Sequence, residues 1–376
     1  MTKHFTPKRI ESLIDVAYFD LLYLTGPQRV DPIFNPFFVS TGRLIVDWYE
    51  QHGRDLPWRE TRDPYRIWVA EVILQQTRIE QGVGYFYRFM ERFPNVQALA
   101  EAQQDEVLKY WEGLGYYSRA RNLHRAAQMV VEQYDGQFPN DHRELIKLKG
   151  IGPYTARAVG SFAFDNPVGV IDGNVLRVMA RLMGDSSPIN QQATRKRFQE
   201  VIDQWVEGVA SRPFNFGIMD LGSTVCTPTQ PGCLICPLQH QCEAYRQGLT
   251  HLLPHKAKKL KRKTQYLHFY LVEDEEGRIA IQQRPEEGIW GGLWEIPNQD
   301  VPQEQWLAQE DAHQGRFLME FKHVLTHLDL MIQVYRVPLS QAPEFAAHKF
   351  IPPSEIPIFA FAKAVLKIFD RWKTMA

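Results

Sequence analysis

Residues 148–179, from Leu148 to Met179, read LKGIGPYTARAVGSFAFDNPVGVIDGNVLRVM. The first feature in this stretch is a tight turn between two helical patterns, Lys149-Gly150-Ile151-Gly152-Pro153. The second is an acid that ends an apolar run and opens the next helix, Asp172-Gly173-Asn174. Glycine has no Cβ, so a hairpin with two of them lets its backbone come close to another surface. Pro153 at the first helical position leaves the N–H groups of that helix start pointing outward, which suits a phosphate. The same residues also fit a helix–turn–helix corner that binds nothing. Asp172 is open in the same way. It is either a cap for the helix from Val175 to Leu182 or a carboxylate held at a site, and Asn174 fits the cap as well.

Working outward, 376 residues suffice for two or three domains, each with its own core. A net charge of −1 excludes a globally basic chain, so any nucleic-acid surface must be a local patch. No apolar run approaches the roughly 18 residues that a membrane span needs, so no membrane partner is expected. The start, MTKHFTPKRIESLIDVAYFDLLYL, has no long apolar core, and Glu11, Asp15 and Asp20 argue against a transit peptide. A cytoplasmic protein is expected, where disulfides are rare. Residues 1–36 read as an extension, a helix from Ile10 to Leu24 and then a Pro-containing connector, with no chemistry of its own.

From Phe37 the chain reads helical, with Leu44, Val46, Trp48 and Tyr49 in a first helix that ends near Gly53. Next comes a Pro-broken loop, Arg54-Asp55-Leu56-Pro57-Trp58-Arg59. An aromatic and two arginines there can stack on and hydrogen-bond a base, or form a surface loop around a half-buried Trp. Asp63-Pro64 starts another helix. On it Glu71 has Ile67 and Trp68 one turn before and Leu74 one turn after, inside an apolar stripe. Burial there would keep its carboxyl protonated near neutral pH, as a general acid requires. The alternative is a head group that reaches water. Gln75 and Gln76 close this helix. The glycine-rich turn Gly113-Leu-Gly-Tyr-Tyr-Ser-Arg119 comes later, and Arg119, Arg121, His124 and Arg125 then share a helix that either meets phosphates or is merely solvated.

All four cysteines of the chain, Cys226, Cys233, Cys236 and Cys242, fall in one loop with the spacing C-x6-C-x2-C-x5-C. Four thiolates so placed suit a [4Fe-4S] cluster. Structural zinc usually takes two short-spaced pairs on separate arms, and only Cys233 and Cys236 form such a pair. After this loop, His251–Lys263 carries six Lys or Arg in its last eight positions and reads as a basic linker. The period then changes from helical to alternating. Tyr266–Val272 and Arg278–Arg284 read as strands joined by an acidic turn, and a helix from Ala360 to Trp372 ends the chain.

LKGIGPYTA followed by IDGNVLRVMAR resembles the helix-hairpin-helix DNA glycosylase superfamily. The run WxxExxLQQT around Glu71 narrows the resemblance to adenine DNA glycosylases of the MutY type, over about residues 37–335, and the cysteine spacing is similar to the cluster loop that endonuclease III and MutY-type enzymes share. It implies a mainly α, two-lobed helix-hairpin-helix glycosylase domain at 37–248, with the [4Fe-4S] loop at 226–242. A linker at 249–264 and an α+β Nudix-like domain at 265–376 would follow. It further implies hydrolysis of the N-glycosidic bond of adenine mispaired with 8-oxoguanine or guanine, in base excision repair. The partner would be double-stranded DNA carrying an A:8-oxoG or A:G mispair, bound by a monomer associated with a bacterial nucleoid. In the resemblance Glu71 and Asp172 are catalytic, with Tyr154 and Asn174 beside them. Gln75 and Gln76 lie at the DNA, where Gln76 and Tyr116 wedge into the duplex. Arg54, Leu56, Trp58 and Arg59 line the base pocket, and Lys149, Gly150 and Gly152 grip phosphate. Endonuclease III enzymes carry a Lys where this chain has Tyr154, and that Lys attacks the sugar and leads to strand cleavage. A tyrosine at that position implies excision by water instead.

The chain departs from the family in two places. Phe216 stands where MutY-type enzymes usually carry Glu or Gln that reads the adenine edge. In the C-terminal loop, His323-Val-Leu-Thr-His327 stands against Phe-Ser-His. Leu325 replaces the aromatic, Thr326 keeps a hydroxyl and His327 is retained. Gly288–Pro297 looks like a Nudix turn, but the paired glutamates of Nudix hydrolysis are missing, so this domain should not hydrolyse nucleotides. Two alternatives stay open: another hairpin glycosylase acting on thymine or an oxidised pyrimidine, and a non-catalytic DNA-binding protein on the same scaffold.

Overall fold

The computed structural model describes residues 36–257, 262–309, 313 and 315–374. The expected helix from Ile10 to Leu24, and the central lysines of the basic linker at 258–261, lie outside the described residues.

The helical part runs through α1 (Pro36–His52), α2 (Pro64–Leu74), α3 (Ile79–Arg92), α4 (Val96–Glu101), α5 (Gln104–Trp111) and α6 (Ser118–Tyr134). It continues through α7 (His142–Leu145), α8 (Pro153–Phe164), α9 (Gly173–Leu182), α10 (Gln192–Val206), α11 (Ser211–Asp220) and α12 (Glu243–Arg246). Helix α2 starts as the sequence suggests. The Asp63 carboxylate accepts the Tyr65 N–H at 2.9 Å, and Pro64 needs no partner for a missing N–H. It is apolar on nearly every side, with Ile67, Trp68, Val69, Ala70 and Ile73 all buried, so it can only be a central helix.

The helices form two lobes. Helices α2 to α8 share one core, in which Trp68, Phe86, Trp111, Leu123 and Phe162 are buried. Helices α1, α9, α10 and α11 share another, built on Ile45, Met179, Phe198, Trp205 and Phe214. From Pro36 the described chain therefore runs in the second lobe, crosses into the first through residues 53–63, and returns through residues 165–172. This double crossing brings Glu71, on a helix of one lobe, opposite Asp172, at the head of a helix of the other.

The C-terminal part is a mixed sheet in the order β3-β2-β1-β6-β5. Its strands are β1 (Lys263–Glu273), β2 (Ile279–Gln283), β3 (Trp294–Glu295), β4 (Asn298–Asp300), β5 (Arg316–Val324), β6 (Leu328–Pro338) and β7 (Lys349–Ile351). Strand β4 pairs with β1 and β7 with β2, while β1 and β6 run parallel from Lys263 beside Leu328 to Glu273 beside Pro338. Side chains on β1 alternate. Leu267, Phe269 and Leu271 share a core with the terminal helix, and Tyr270 and Val272 face a smaller one. The short α13 (Gln303–Ala308) precedes β5, and α14 (Lys363–Lys373) closes the chain, starting three residues later than the expected Ala360. Ala360 and Phe361 are tied up first. The Ala360 carbonyl accepts the Trp294 N–H at 2.9 Å, and the Phe361 N–H donates to Glu112 Oε1 at 2.9 Å.

That last bond crosses between the helical part and the sheet. Gln283 donates to Asp105 at 2.8 Å, Trp294 Nε1 donates to the same carboxylate at 3.2 Å, and Lys109 donates to the Phe359 carbonyl at 3.0 Å. Arg121 donates to the carbonyls of Glu286 and Gly291. Arg121 is therefore an interdomain tie and not a free phosphate contact. Of its neighbours on α6, His124 is buried and Arg119 points back at α2, while Arg125 stays exposed.

Candidate active site and nucleic-acid interface

A cleft of about 780 Å3 opens between the two helical lobes. Its floor holds Glu71, Tyr154, Asp172 and Asn174. Glu71 is 4% exposed and accepts the Tyr154 hydroxyl at 2.7 Å. Burial pushes its carboxyl up to about 7, and the nearby Asp172 charge adds to this, while the Tyr154 hydroxyl and the Arg59 charge oppose it. An acid so tuned is partly protonated at neutral pH and can give its proton to a bound base. Tyr154 is half-buried, and desolvation of its hydroxyl together with the Glu71 and Asp172 charges holds it protonated well beyond its ordinary range.

Asp172 has both of the duties its sequence position allows. It caps α9 through the Val175 N–H at 2.7 Å, and its other oxygen accepts the Asn174 amide at 2.9 Å. Burial pushes its carboxyl up, and those two bonds favour the ionised form in return. Asn174 is positioned by Arg177, which donates to Asn174 Oδ1 at 2.9 Å and to the Gly222 and Cys226 carbonyls at 2.5 and 2.8 Å.

The wall beside Glu71 rests on a residue that the sequence reading did not single out. Asp220, at the end of α11, is fully buried. Arg59 grips it with two bonds of 2.7 and 2.8 Å, and Arg54 donates to it from Nε at 2.8 Å and from its backbone N–H at 3.0 Å. Burial alone would push the Asp220 carboxyl up, but these arginine bonds outweigh it and hold the group below its usual range. The signal was present: an acid inside the apolar pattern Phe214, Phe216, Ile218, Leu221 must be paired if it is to stay charged. Phe216 lines the cleft and packs on Phe162 with ring centres 4.3 Å apart, and the Arg59 guanidinium lies 4.4 Å over its ring.

Trp58 lines the cleft with Arg54, Leu56 and Arg59, but from the core side. It is 3% exposed and set edge-on to Phe86, in the core of the first lobe, so its ring faces are not free to stack on a base. Arg54 and Arg59 are likewise engaged by Asp220. Leu56 is buried at the cleft wall, where its carbonyl accepts the Arg59 N–H at 2.8 Å.

The rim is built from turns. Gln76 and Tyr116 both line the cleft, and both have left-handed backbones, with φ of 64° and 50°. Gln75 donates to Thr155 Oγ1 at 3.2 Å. The Tyr116 hydroxyl lies 2.6 Å from Thr326 Oγ1, which brings the loop between β5 and β6 to the rim. His327 is exposed beside it, and Leu325 turns inward against the core. In the hairpin, Gly150 has φ of 74°, and a Cβ there would come within 2.4 Å of Asn122. Gly152 caps α8 from an extended backbone with open space before it, and Lys149 is exposed.

The four cysteines are free thiols that line one small cavity together with Arg181. Arg181 donates to Cys226 Sγ at 3.3 Å and to the carbonyls of Thr227, Pro228 and Leu253. Among the described residues no group of three His, Cys, Asp or Glu side chains is placed to hold a single metal ion. Helix α9 thus carries Asp172 at its head and, one and two turns on, the arginines that clasp the cysteine loop.

Known proteins share this arrangement. Residues 69–204 match the HhH-GPD superfamily of base excision DNA repair proteins, and residues 268–371 match the NUDIX domain family. The adenine DNA glycosylase of Mus musculus is 32% identical over 88% of this chain and 77% of its own length. That of Buchnera aphidicola subsp. Baizongia pistaciae is 35% identical over 77% of this chain and 84% of its own. Among solved structures, a thermostable thymine-DNA glycosylase superposes with a TM-score of 0.51 at 30% identity, covering 56% of this chain and 96% of that one. Identities of this size over most of both chains leave one conclusion: the chain belongs to the adenine DNA glycosylases, helix-hairpin-helix enzymes of base excision repair that hydrolyse N-glycosyl bonds.

Proposed function

We propose that this enzyme is a monofunctional glycosylase that removes adenine mispaired with 8-oxoguanine or guanine in double-stranded DNA. The observation that carries the reading is the cleft floor: two carboxyl groups, Glu71 buried and raised to about 7 and Asp172 half-buried, with no lysine among the described residues that line the cleft. Extruded adenine enters between Phe216 and the Glu71–Tyr154 pair. Glu71 gives its proton to a ring nitrogen. The C1′–N9 bond then breaks, and its electron pair leaves with the adenine. Asp172, ionised, stabilises the sugar cation, and water adds its oxygen at C1′ and gives up a proton. Tyr154 orients Glu71, and Asn174 orients Asp172. No amine among the described residues that line the cleft is in place to form a Schiff base, so the product is an abasic site in an intact strand.

At the rim Gln76 and Tyr116 fill the gap left by the extruded base, with Gln75 beside them. Lys149, Gly150 and Gly152 hold phosphate, and Thr326 and His327 face the base opposite. Cys226, Cys233, Cys236 and Cys242 would hold a [4Fe-4S] cluster. Their shared cavity, their lack of disulfides and the Arg181 cation against Cys226 fit a cluster, whose sulfurs stand around a wider cage than those of one zinc ion. When bound, the cluster would act as a rigid clasp for its loop.

The test is single-turnover incubation with duplexes carrying adenine opposite 8-oxoguanine, guanine or thymine, each split with and without alkali. Adenine release opposite 8-oxoguanine and guanine, with breaks only after alkali, is the expected result. Strand breaks without alkali would overturn the monofunctional mechanism, and equal release opposite thymine would overturn the mispair reading.

A further inference from the structure

Arg119, the second residue of α6, turns its guanidinium inward onto backbone carbonyls. Its Nη1 donates to the carbonyls of Val72, Ile73 and Gln75 at 2.7, 3.1 and 2.5 Å. Its Nη2 donates to those of Gly115 and Leu114 at 3.1 and 3.4 Å. The guanidinium lies 5.1 Å from the Trp111 ring centre and 5.7 Å from that of Tyr116. The first three carbonyls end α2, the helix that carries Glu71, where orphan acceptors and the helix dipole both favour a cation. The other two belong to the turn that presents Tyr116. One planar group therefore closes two turns that are distant in sequence, and each turn holds a non-glycine residue in the left-handed region, Gln76 and Tyr116. Such backbones persist only where their surroundings over-determine them. A lysine cannot replace the fork, because its ammonium cannot spread donors over five carbonyls in a plane.

We propose that Arg119 is a positioning residue for base extrusion, joining Gln76 and Tyr116 into one preset wedge. The proposal rests on the reading of those two residues as the wedge. It places the effect of Arg119 before bond cleavage, at the step where the target base leaves the stack. The two halves of the wedge come from different stretches, and without the clasp each would have to find its left-handed turn separately as the duplex opens.

The experiment compares wild type and Arg119→Lys on two substrates: adenine paired with 8-oxoguanine, and adenine facing an abasic site, which has no pairing partner to break. The expected result is a single-turnover rate lowered about tenfold or more on the paired duplex and within about threefold of wild type on the other, since extrusion costs least for an unpaired base. Equal losses on both substrates, or no loss on either, would overturn the proposal. A Gln76→Ala, Tyr116→Ala background supplies the second arm. There Arg119→Lys should add nothing on the paired duplex, and a further loss would show that it acts elsewhere. If the double substitution alone leaves the paired rate unchanged, the wedge reading fails and the proposal with it, an outcome distinct from failure of Arg119 alone. Circular dichroism checks folding. Arg119→Gln, which keeps an amide donor, replaces Arg119→Lys in both arms if the lysine variant does not fold.

Discussion

The floor of the cleft and its rim hold polar side chains by opposite means. On the floor, Glu71 and Asp220 are buried, Tyr154 and Asp172 are half-buried, and each has a partner between 2.7 and 2.9 Å away. Their orientations follow from desolvation, because an unpaired group there would be costly. On the rim, Tyr116 is 49% exposed, and it is held by a left-handed turn that the Arg119 guanidinium closes. Buried pairing suits chemistry, where a carboxyl must keep an unusual proton affinity. Backbone-held exposure suits recognition, where a ring must stand in water until a duplex arrives.

The sharpest way to break this comparison is Glu71→Gln. If the floor does the chemistry and the rim the binding, adenine release should fall by about 10²- to 10⁴-fold while duplex affinity stays within a few-fold. An affinity loss of the same size in a gel-shift titration would merge the two regions. The same carboxyl sets a pH dependence. The wild-type single-turnover rate should be highest on the acid side and fall as pH rises through about 7, because the protonated form acts. Tyr154→Phe removes a hydrogen bond that favours the ionised form, so the fall should move to higher pH. Stability has the matching sign. Glu71 binds its proton more tightly folded than unfolded, so its contribution is fully present below about 4.3 and is lost as pH rises toward 7. Glu71→Gln should therefore melt higher than wild type at pH 8, by the equivalent of about 3–4 kcal/mol.

Asp172→Asn should lower release by about 10²- to 10³-fold, the scale of a lost electrostatic stabiliser, with little change in melting temperature because Asn also caps a helix. Asp172→Ala should lose both, adding about 1 kcal/mol of destabilisation. At the rim, Tyr116→Phe removes the hydroxyl that meets Thr326 and keeps the ring. Its expected cost is about 1 kcal/mol in duplex affinity, roughly fivefold, with release from the bound complex unchanged. A lower release rate instead would tie the rim to the chemistry. The smallest effect is expected at Phe216. Phe216→Gln puts an amide at the cleft wall, and release of adenine relative to unsubstituted purine should rise several-fold, by about 1 kcal/mol for one new hydrogen bond. An unchanged ratio would show that this wall does not read the base edge.

How far each residue could be read from the chain followed from the range of the contacts that position it. Glu71 stood out because its apolar neighbours lie within one helical turn. Gly150 and Asp172 stood out because a left-handed turn and a helix cap are properties of a few adjacent residues. The strands at 266–284 were legible from an alternation that spans a single hairpin. The sequence by itself determined these local elements and the change of period between the two parts, because backbone preference and burial periodicity act over short distances; the type of chemistry was legible only through the resemblance of its motifs to a family. Only the tertiary structure decided that Trp58 belongs to a core, that Arg54 and Arg59 close on Asp220, and that Arg119 serves the turns and not the solvent. It alone brought Tyr116 to Thr326. Each of those contacts joins groups that are far apart along the chain. Which partner a buried charge or an exposed hydroxyl meets is settled by how the lobes and the sheet pack, and no local pattern encodes that.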